Sequence, residues 1–180
     1  MKAKIIFLTL ILSITLFTGC GGEDAPPEDN TPPDAVTTAS IVDNNTDFEE
    51  GISENGTWII CTLADLTFDK ELVLDGEFTN GKQDDSGKDI VQRKIALYEQ
   101  DEDRNVTARY KLTAPKLTIN SPEASIQHGT FIGDLYVQTN NFELVDMTIE
   151  GNVYFANDEA RSSFTMDEDS TITGVQELAE

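Results

Sequence analysis

Eighteen residues separate two near-copies of one phrase. TFIGDLYV occupies residues 130–137 and TIEGNVYF residues 148–155, with Thr, Gly and Tyr at matching places. Asp134, Leu135 and Val137 are answered by Asn152, Val153 and Phe155. LTI at 117–119 falls into register with LYV at 135–137 and VYF at 153–155. Two more series step by 18: Ala124 and Ile126 match Phe142 and Leu144, and Thr130-Phe131 match Thr148-Ile149. Each 18-residue unit therefore holds about three short strands, with Gly, Asn, Asp and Pro at the bends. SSFTMD and STITG continue the pattern at a looser spacing of 20–23 residues.

A constant period that matches like with like argues against the ordinary β architectures. A hairpin meander needs no fixed period, and a sandwich spaces its strands by about 8–12 residues. A coil of short parallel strands explains both the period and the matching. Successive coils would stack at about 4.8 Å, with inward apolar side chains forming ladders. The expected fold class is all-β: a single-stranded parallel β-helix, or β-solenoid, with 18-residue coils in the C-terminal half. The wording GDLYV…IEGNVYF resembles bactofilins, a polymer-forming family with a small right-handed triangular β-helix. The resemblance covers roughly residues 117–174, favours the right-handed form, and implies stacking of coil ends. The earlier units, residues 58–112, are longer and less regular. TWIICTL, ELVLDGEF, RKIALYEQ and VTARYKL each read as a strand, a helical turn fits 47–53, and NGKQDDSGKD reads as an exposed loop.

The start of the chain has another character. Met1-Lys2-Ala3-Lys4 is basic, and residues 5–17 form an apolar run. That run is short for a membrane span and suits a secretion signal. It ends in LFTGC at 16–20, which resembles the lipobox of bacterial lipoproteins. The resemblance implies cleavage between Gly19 and Cys20 and attachment of diacylglycerol and acyl (palmitate-type) groups to Cys20. It also implies export, with the protein held on a bacterial membrane facing the periplasm or the cell exterior. Each buried methylene contributes roughly 0.8 kcal/mol, so two or more chains make a lasting anchor where one would not. No other cofactor is expected.

Residues 21–45 hold four of the six prolines, with Asp, Glu and Thr and few large apolar residues. Such a segment buries too little to offset its ordering entropy. The domain reading is a signal peptide at 1–19, a lipidated Cys and acidic tether at 20–45, and a β domain at 46–180. The formal charge is −22 and becomes −24 once Lys2 and Lys4 leave with the signal. That excludes nucleic acid as a partner and disfavours adsorption to anionic head groups. The expected partners are the membrane, through the lipid, and either a second copy or an envelope polysaccharide or protein. With Cys20 lipidated, Cys61 has no disulfide partner in the chain and reads as a buried apolar residue.

Chemistry candidates are few. Thr118, Tyr136 and Tyr154 step together and would form an outward ladder, a candidate binding face for sugar rings or a partner protein. Eight of the ten cations left after signal removal lie between Lys82 and Lys116. Arg93, Arg109 and Lys111 could share one outward face, the arrangement a polysaccharide lyase or glycoside hydrolase on a short β-helix would need. Asp101, Asp103 and Asn105 have the spacing of the first three ligands of a calcium loop, but Val106 and Leu112 stand where such a loop needs Gly and Glu. Asp167-x-Asp169-x-Thr171 resembles the phosphatase motif of haloacid dehalogenases, but too little chain follows for that fold. His128 reads as a surface turn residue. The best functional class is a non-enzymatic structural or binding module, and a carbohydrate-active enzyme is the alternative. Residues 175–180, VQELAE, read as an acidic cap on the coil.

Overall fold

The computed structural model describes residues 39–180. β1 (Ser40–Val42) precedes helix α1 (Asn45–Ile52), and β2 (Ile59–Thr62), β3 (Leu66–Thr67) and β4 (Leu72–Leu74) follow. A hairpin of β5 (Thr79–Gln83) and β6 (Asp89–Val91) leads to β7 (Arg93–Ala96). A second hairpin, β8 (Tyr98–Gln100) and β9 (Val106–Arg109), leads to the long β10 (Lys111–Ile119). Next come β11 (Ala124–Gln127), β12 (Thr130–Val137), β13 (Glu143–Val145), β14 (Thr148–Glu150) and β15 (Val153–Phe155). Helix α2 (Asp158–Ser163) precedes β16 (Thr165–Met166), β17 (Thr171–Ile172) and β18 (Gln176–Leu178). The chain is all-β in class, with parallel sheets and two antiparallel hairpins.

One parallel sheet has the order β1-β2-β7-β11-β13-β16. A second has two registers. The first halves of β10 and β12 pair with β3 and β14, and β14 with β17; their second halves pair with β4 and β15, and β15 with β18. The 18-residue period is therefore the register itself: Leu117 lies beside Leu135, which lies beside Val153. Four inward ladders make the core. Ile60, Ile95, Ile126 and Leu144 form one, Leu112, Phe131 and Ile149 another, Leu117, Leu135 and Val153 a third, and Ile119, Val137 and Phe155 a fourth. All thirteen of these side chains are buried. Each contributes about 1.5–3 kcal/mol through its burial.

The irregular early part has a simple cause. The chain leaves the parallel path at Leu97 and rejoins it at Tyr110, whose N–H donates to Leu97 O at 2.8 Å. The β8–β9 hairpin is the excursion between them, so RKIALYEQ and VTARYKL are each two strands rather than one. The expected loop at 80–89 is likewise part of a hairpin. Both tips use one turn. In the first, Asp84 Oδ1 accepts from the N–H of Ser86 and Lys88 at 2.8 and 3.0 Å. In the second, Asp101 Oδ1 accepts from the N–H of Asp103 and Asn105 at 3.0 and 2.8 Å. Gly87 and Arg104 hold the same left-handed position, at φ 82° and 67°.

The two helices arise locally. The Asn44 side chain caps α1 by accepting from Asp47 N at 3.1 Å, and Phe48 and Ile52 point into the core. The Asn157 side chain caps α2 by accepting from Ala160 N at 2.8 Å. Its insertion loosens the last spacing beyond 18. Two boundaries differ from the sequence reading. Ser40–Val42 belong to a sheet, although their composition had assigned them to the tether. The segment 175–180, read as an acidic cap, holds one more strand: Gln176–Leu178 pair with β15.

Candidate functional site

The outward face of β4, β10, β12, β15 and β18 carries one side chain per strand. Register places Val73, Thr118, Tyr136, Tyr154 and Glu177 in one column. The expected ladder of Thr118, Tyr136 and Tyr154 is thus a physical row, extended at both ends. The two tyrosine rings lie 4.7 Å apart between centroids, tilted by 34°. Lys116 Nζ sits 4.7 Å from the Tyr136 centroid and pairs with Glu71 at 3.1 Å. A cation over an aromatic face contributes about 0.5–1 kcal/mol when exposed.

Glycines set the bend below this face. Gly133, Gly151 and Gly174 stack in successive units, each facing the backbone of the residue before it in the column. A Cβ on Gly151 would overlap Gly133 O and lie 2.6 Å from its carbonyl carbon. One on Gly174 would lie 2.7 Å from the Gly151 carbonyl carbon. Beside them a polar rung ties the units. Asn152 donates from its backbone N and its Nδ2 to Asp134 Oδ1, both at 3.0 Å, and Asn152 Oδ1 accepts from Val175 N at 3.1 Å. The tyrosines are therefore held on a rigid sheet. Burial, then the charges of Asp134 and neighbouring groups, pushes the Tyr154 phenol upward, so it stays a neutral hydroxyl. Beside the rings a cavity of about 390 Å³ is lined by Tyr136, Tyr154, Glu177, Leu178, Ala179 and Glu180. The chemistry on offer is stacking, cation–π contact and neutral hydrogen bonding.

The Arg93, Arg109 and Lys111 face does not form. Arg93 is fully buried, and its Nη2 donates to Gly51 O at 2.8 Å and Ser53 O at 2.9 Å, at the end of α1. The Phe78 ring covers its guanidinium at 3.8 Å. Burial lowers the Arg93 pKa to about 10, so it stays charged at neutral pH. Arg93 is the first residue of a strand whose inward set it shares, and its alternation with Lys94 gave no sign of the bound helix end. Lys111 is exposed, and its backbone N donates to Asp65 Oδ1 at 2.8 Å. Arg109 pairs with Asp146 at 2.5 Å.

That pair belongs to a corner that the sequence reading missed. Asp146 Oδ2 also meets His128 Nδ1 at 3.0 Å, and His128 packs edge-on to Tyr98 at 4.4 Å. Arg109 and then His128 hold the Asp146 carboxyl below its ordinary range. Both oxygens of Asp167 accept from Asp146 N at 3.0 Å, and Ser170 Oγ donates to Asp167 Oδ1 at 2.6 Å. Asp167 thus ties one bend to the next. His128 and Asp146 occupy equivalent left-handed positions, φ 61° and 50°, one 18-residue step apart. That offset was the available signal. Tyr110 donates its hydroxyl to Glu99 within the same hairpin region.

Asp101 also accepts from Asn105 Nδ2 at 2.9 Å, so its carboxylate organises the hairpin tip together with Asn105, while Asp103 supplies only a backbone N–H. Among the described residues no group of three or more His, Cys, Asp or Glu side chains is placed to hold a metal. Cys61 is half-buried, and burial raises its thiol pKa. Gly19 and Cys20 lie outside the described residues. No protein-family model, curated protein or solved structure matches this chain.

Proposed function

We propose that this protein is a lipid-anchored binding module of the bacterial cell envelope. Its domain is a single-stranded parallel β-helix, right-handed as the bactofilin resemblance implies, and its work is recognition rather than catalysis. The tyrosine row carries this reading. Tyr136 and Tyr154 stand side by side on a sheet face, beside Lys116 and a cavity open to solvent. Aromatic faces of that kind stack on sugar rings or on partner side chains. The burial of Arg93 against the end of α1, away from solvent, weighs against carbohydrate cleavage on a face shared with Arg109 and Lys111.

Two measurements test the reading. Cell-envelope polysaccharide and envelope protein extracts are each offered to the immobilised protein and to a Tyr136→Ala/Tyr154→Ala variant. Binding lost in the variant supports the face, and equal binding removes it. Cys20→Ala should release the protein from the membrane fraction and abolish lipid labelling. Unchanged fractionation and labelling would sink the anchor. A crystal structure shows the hand of the coil directly.

A further inference from the structure

The stack of units has two unlike ends. At the first, α1 lies where another unit would pack. Phe48 and Ile52 are buried there, and Asn45 Nδ2 donates to Thr67 O on β3 at 2.7 Å. At the other end β16, β17 and β18 close their sheets, and among the described residues no strand pairs with their far edges. Their inward positions hold Met166, Ile172, Gln176 and Leu178, in register with buried Leu144, Ile149, Val153 and Phe155. Met166 and Leu178 are 36% and 38% exposed, while Leu144 and Phe155 are at 0% and 1%. The terminal rung is thus a largely apolar layer, Gln176 apart, whose backbone edge no strand among the described residues pairs.

Free sheet edges invite strand addition, and proteins guard them against their own kind with charged side chains, Lys above all, or with Pro or bulges. Residues 162–180 contain no Lys, Arg or Pro. They carry Asp167, Glu168, Asp169, Glu177 and Glu180 instead. We propose that the free edge of β18 takes up an extended basic segment of a partner protein, as one further strand of the sheet. A Lys or Arg of that segment lies beside Glu177, and an apolar residue covers Leu178. β18 is the choice because it is the longest of the three terminal strands and all three of its residues are exposed. The cavity lined by Tyr154, Glu177 and Leu178 adjoins it and gives room for a long cationic side chain.

Charge selects the occupant. Residues 117–180 hold twelve carboxylate side chains and one cation, Arg161. A second copy meeting end to end would bring these carboxylates together, and like charges directly opposite each other in a sheet destabilise the pairing. Head-to-tail stacking would need the other end, which α1 covers. A basic strand meets neither obstacle. The proposal holds whether or not the tyrosine face takes a ligand of its own.

The test uses the full-length protein in detergent and three labelled peptides of about eight residues, read by fluorescence anisotropy at about 0.15 M salt. One alternates Lys and Val, one alternates Glu and Val, and one is the Lys/Val peptide with two Val replaced by Pro. The Lys/Val peptide should bind roughly five- to tenfold more tightly than either of the others. Glu177→Lys should reverse the preference toward Glu/Val, and Glu177→Gln should fall between. Leu178→Asp should weaken the Lys/Val peptide, whereas Val73→Asp, at the far end of the same column, should leave it unchanged. Equal binding of the Lys/Val and Pro-interrupted peptides means charge adsorption alone and overturns the proposal. So does absence of binding, or a preference that Glu177→Lys leaves in place. Sedimentation showing a stable peptide-free dimer that Leu178→Asp dissolves would assign the edge to a second copy instead.

Discussion

Replacing Gly151 by Ala tests the stacking of successive units at its tightest point. The added methyl meets the backbone of Gly133, one unit away, with the carbonyl carbon at 2.6 Å and the oxygen nearer still. Ordinary van der Waals contact for such a pair starts about 0.8 Å farther out. No flexible side chain stands there to move aside, so two units must separate locally. Gly151 is not in the left-handed region, so conformational strain adds nothing. Overpacking of a tight interior costs about 1–3 kcal/mol, and a backbone obstacle puts this case at the upper end, about 3 kcal/mol. With a urea slope of about 2 kcal/mol/M, the unfolding midpoint falls by roughly 1.5 M. Gly87→Ala is the control. It lies at a hairpin tip with φ 82° and open space around it, so its cost is the left-handed backbone alone, about 1 kcal/mol. Urea titration followed by circular dichroism measures both. If Gly151→Ala costs no more than Gly87→Ala, the two glycines do not face each other across successive units. The ladder register would then be wrong.

Other outcomes follow from single contacts. Leu135→Ala, in the buried ladder of Leu117, Leu135 and Val153, should cost about 2–5 kcal/mol in the same titration. Arg93→Ala removes the side-chain donor to Gly51 O and one of two donors to Ser53 O, which keeps the Gly56 N–H at 3.1 Å, so stability should fall by about 1–3 kcal/mol. Amide exchange across α1 should quicken first. Asp146 has a folded pKa below its unfolded value, so its contribution is present above the unfolded pKa of about 4 and is lost as pH falls through the folded one. Asp146→Asn should therefore cost up to about 1 kcal/mol at pH 7, and the gap to the parent should close as pH drops below the carboxylate range. A gap that stays constant down to low pH would mean that Asp146 acts through packing alone.

The regular third of the chain was legible because its side chains repeat with the backbone. Leu135 and Val153 have the same neighbours, so the same residue type recurs at one offset, and Tyr136 and Tyr154 recur with them. The early part was less legible for a geometric reason. A hairpin that leaves at Leu97 and returns at Tyr110 adds residues without adding a unit, and its strands alternate just as sheet strands do. Composition alone cannot separate RKIALYEQ as one strand from β7 and β8 as two. Arg93 misled because charge usually signals exposure. Its partners are the backbone carbonyls at the C-terminal end of α1, and backbone atoms leave no trace in residue type. The corner of Arg109, His128 and Asp146 was half visible, since His128 and Asp146 are 18 residues apart, but the Arg comes from a hairpin outside the repeat.

Direction along the stack joins these observations. The described chain enters beside α1 and leaves at β18, so the covered end comes first and the open end last. Cations concentrate between Lys82 and Lys116, in and around the two hairpins, while the last units hold carboxylates almost alone. The two ends of the described residues thus differ in kind: α1 packs Phe48 and Ile52 against the first strands, and the last strands carry exposed Met166 and Leu178 among carboxylates. The same asymmetry makes the open edge separable from the anchor: Leu178→Asp should change what the protein binds while leaving it on the membrane, and Cys20→Ala should do the reverse. A Leu178→Asp variant that leaves the membrane, or a Cys20→Ala variant that loses basic-peptide binding in detergent, would break that separation and with it the reading of two independent ends.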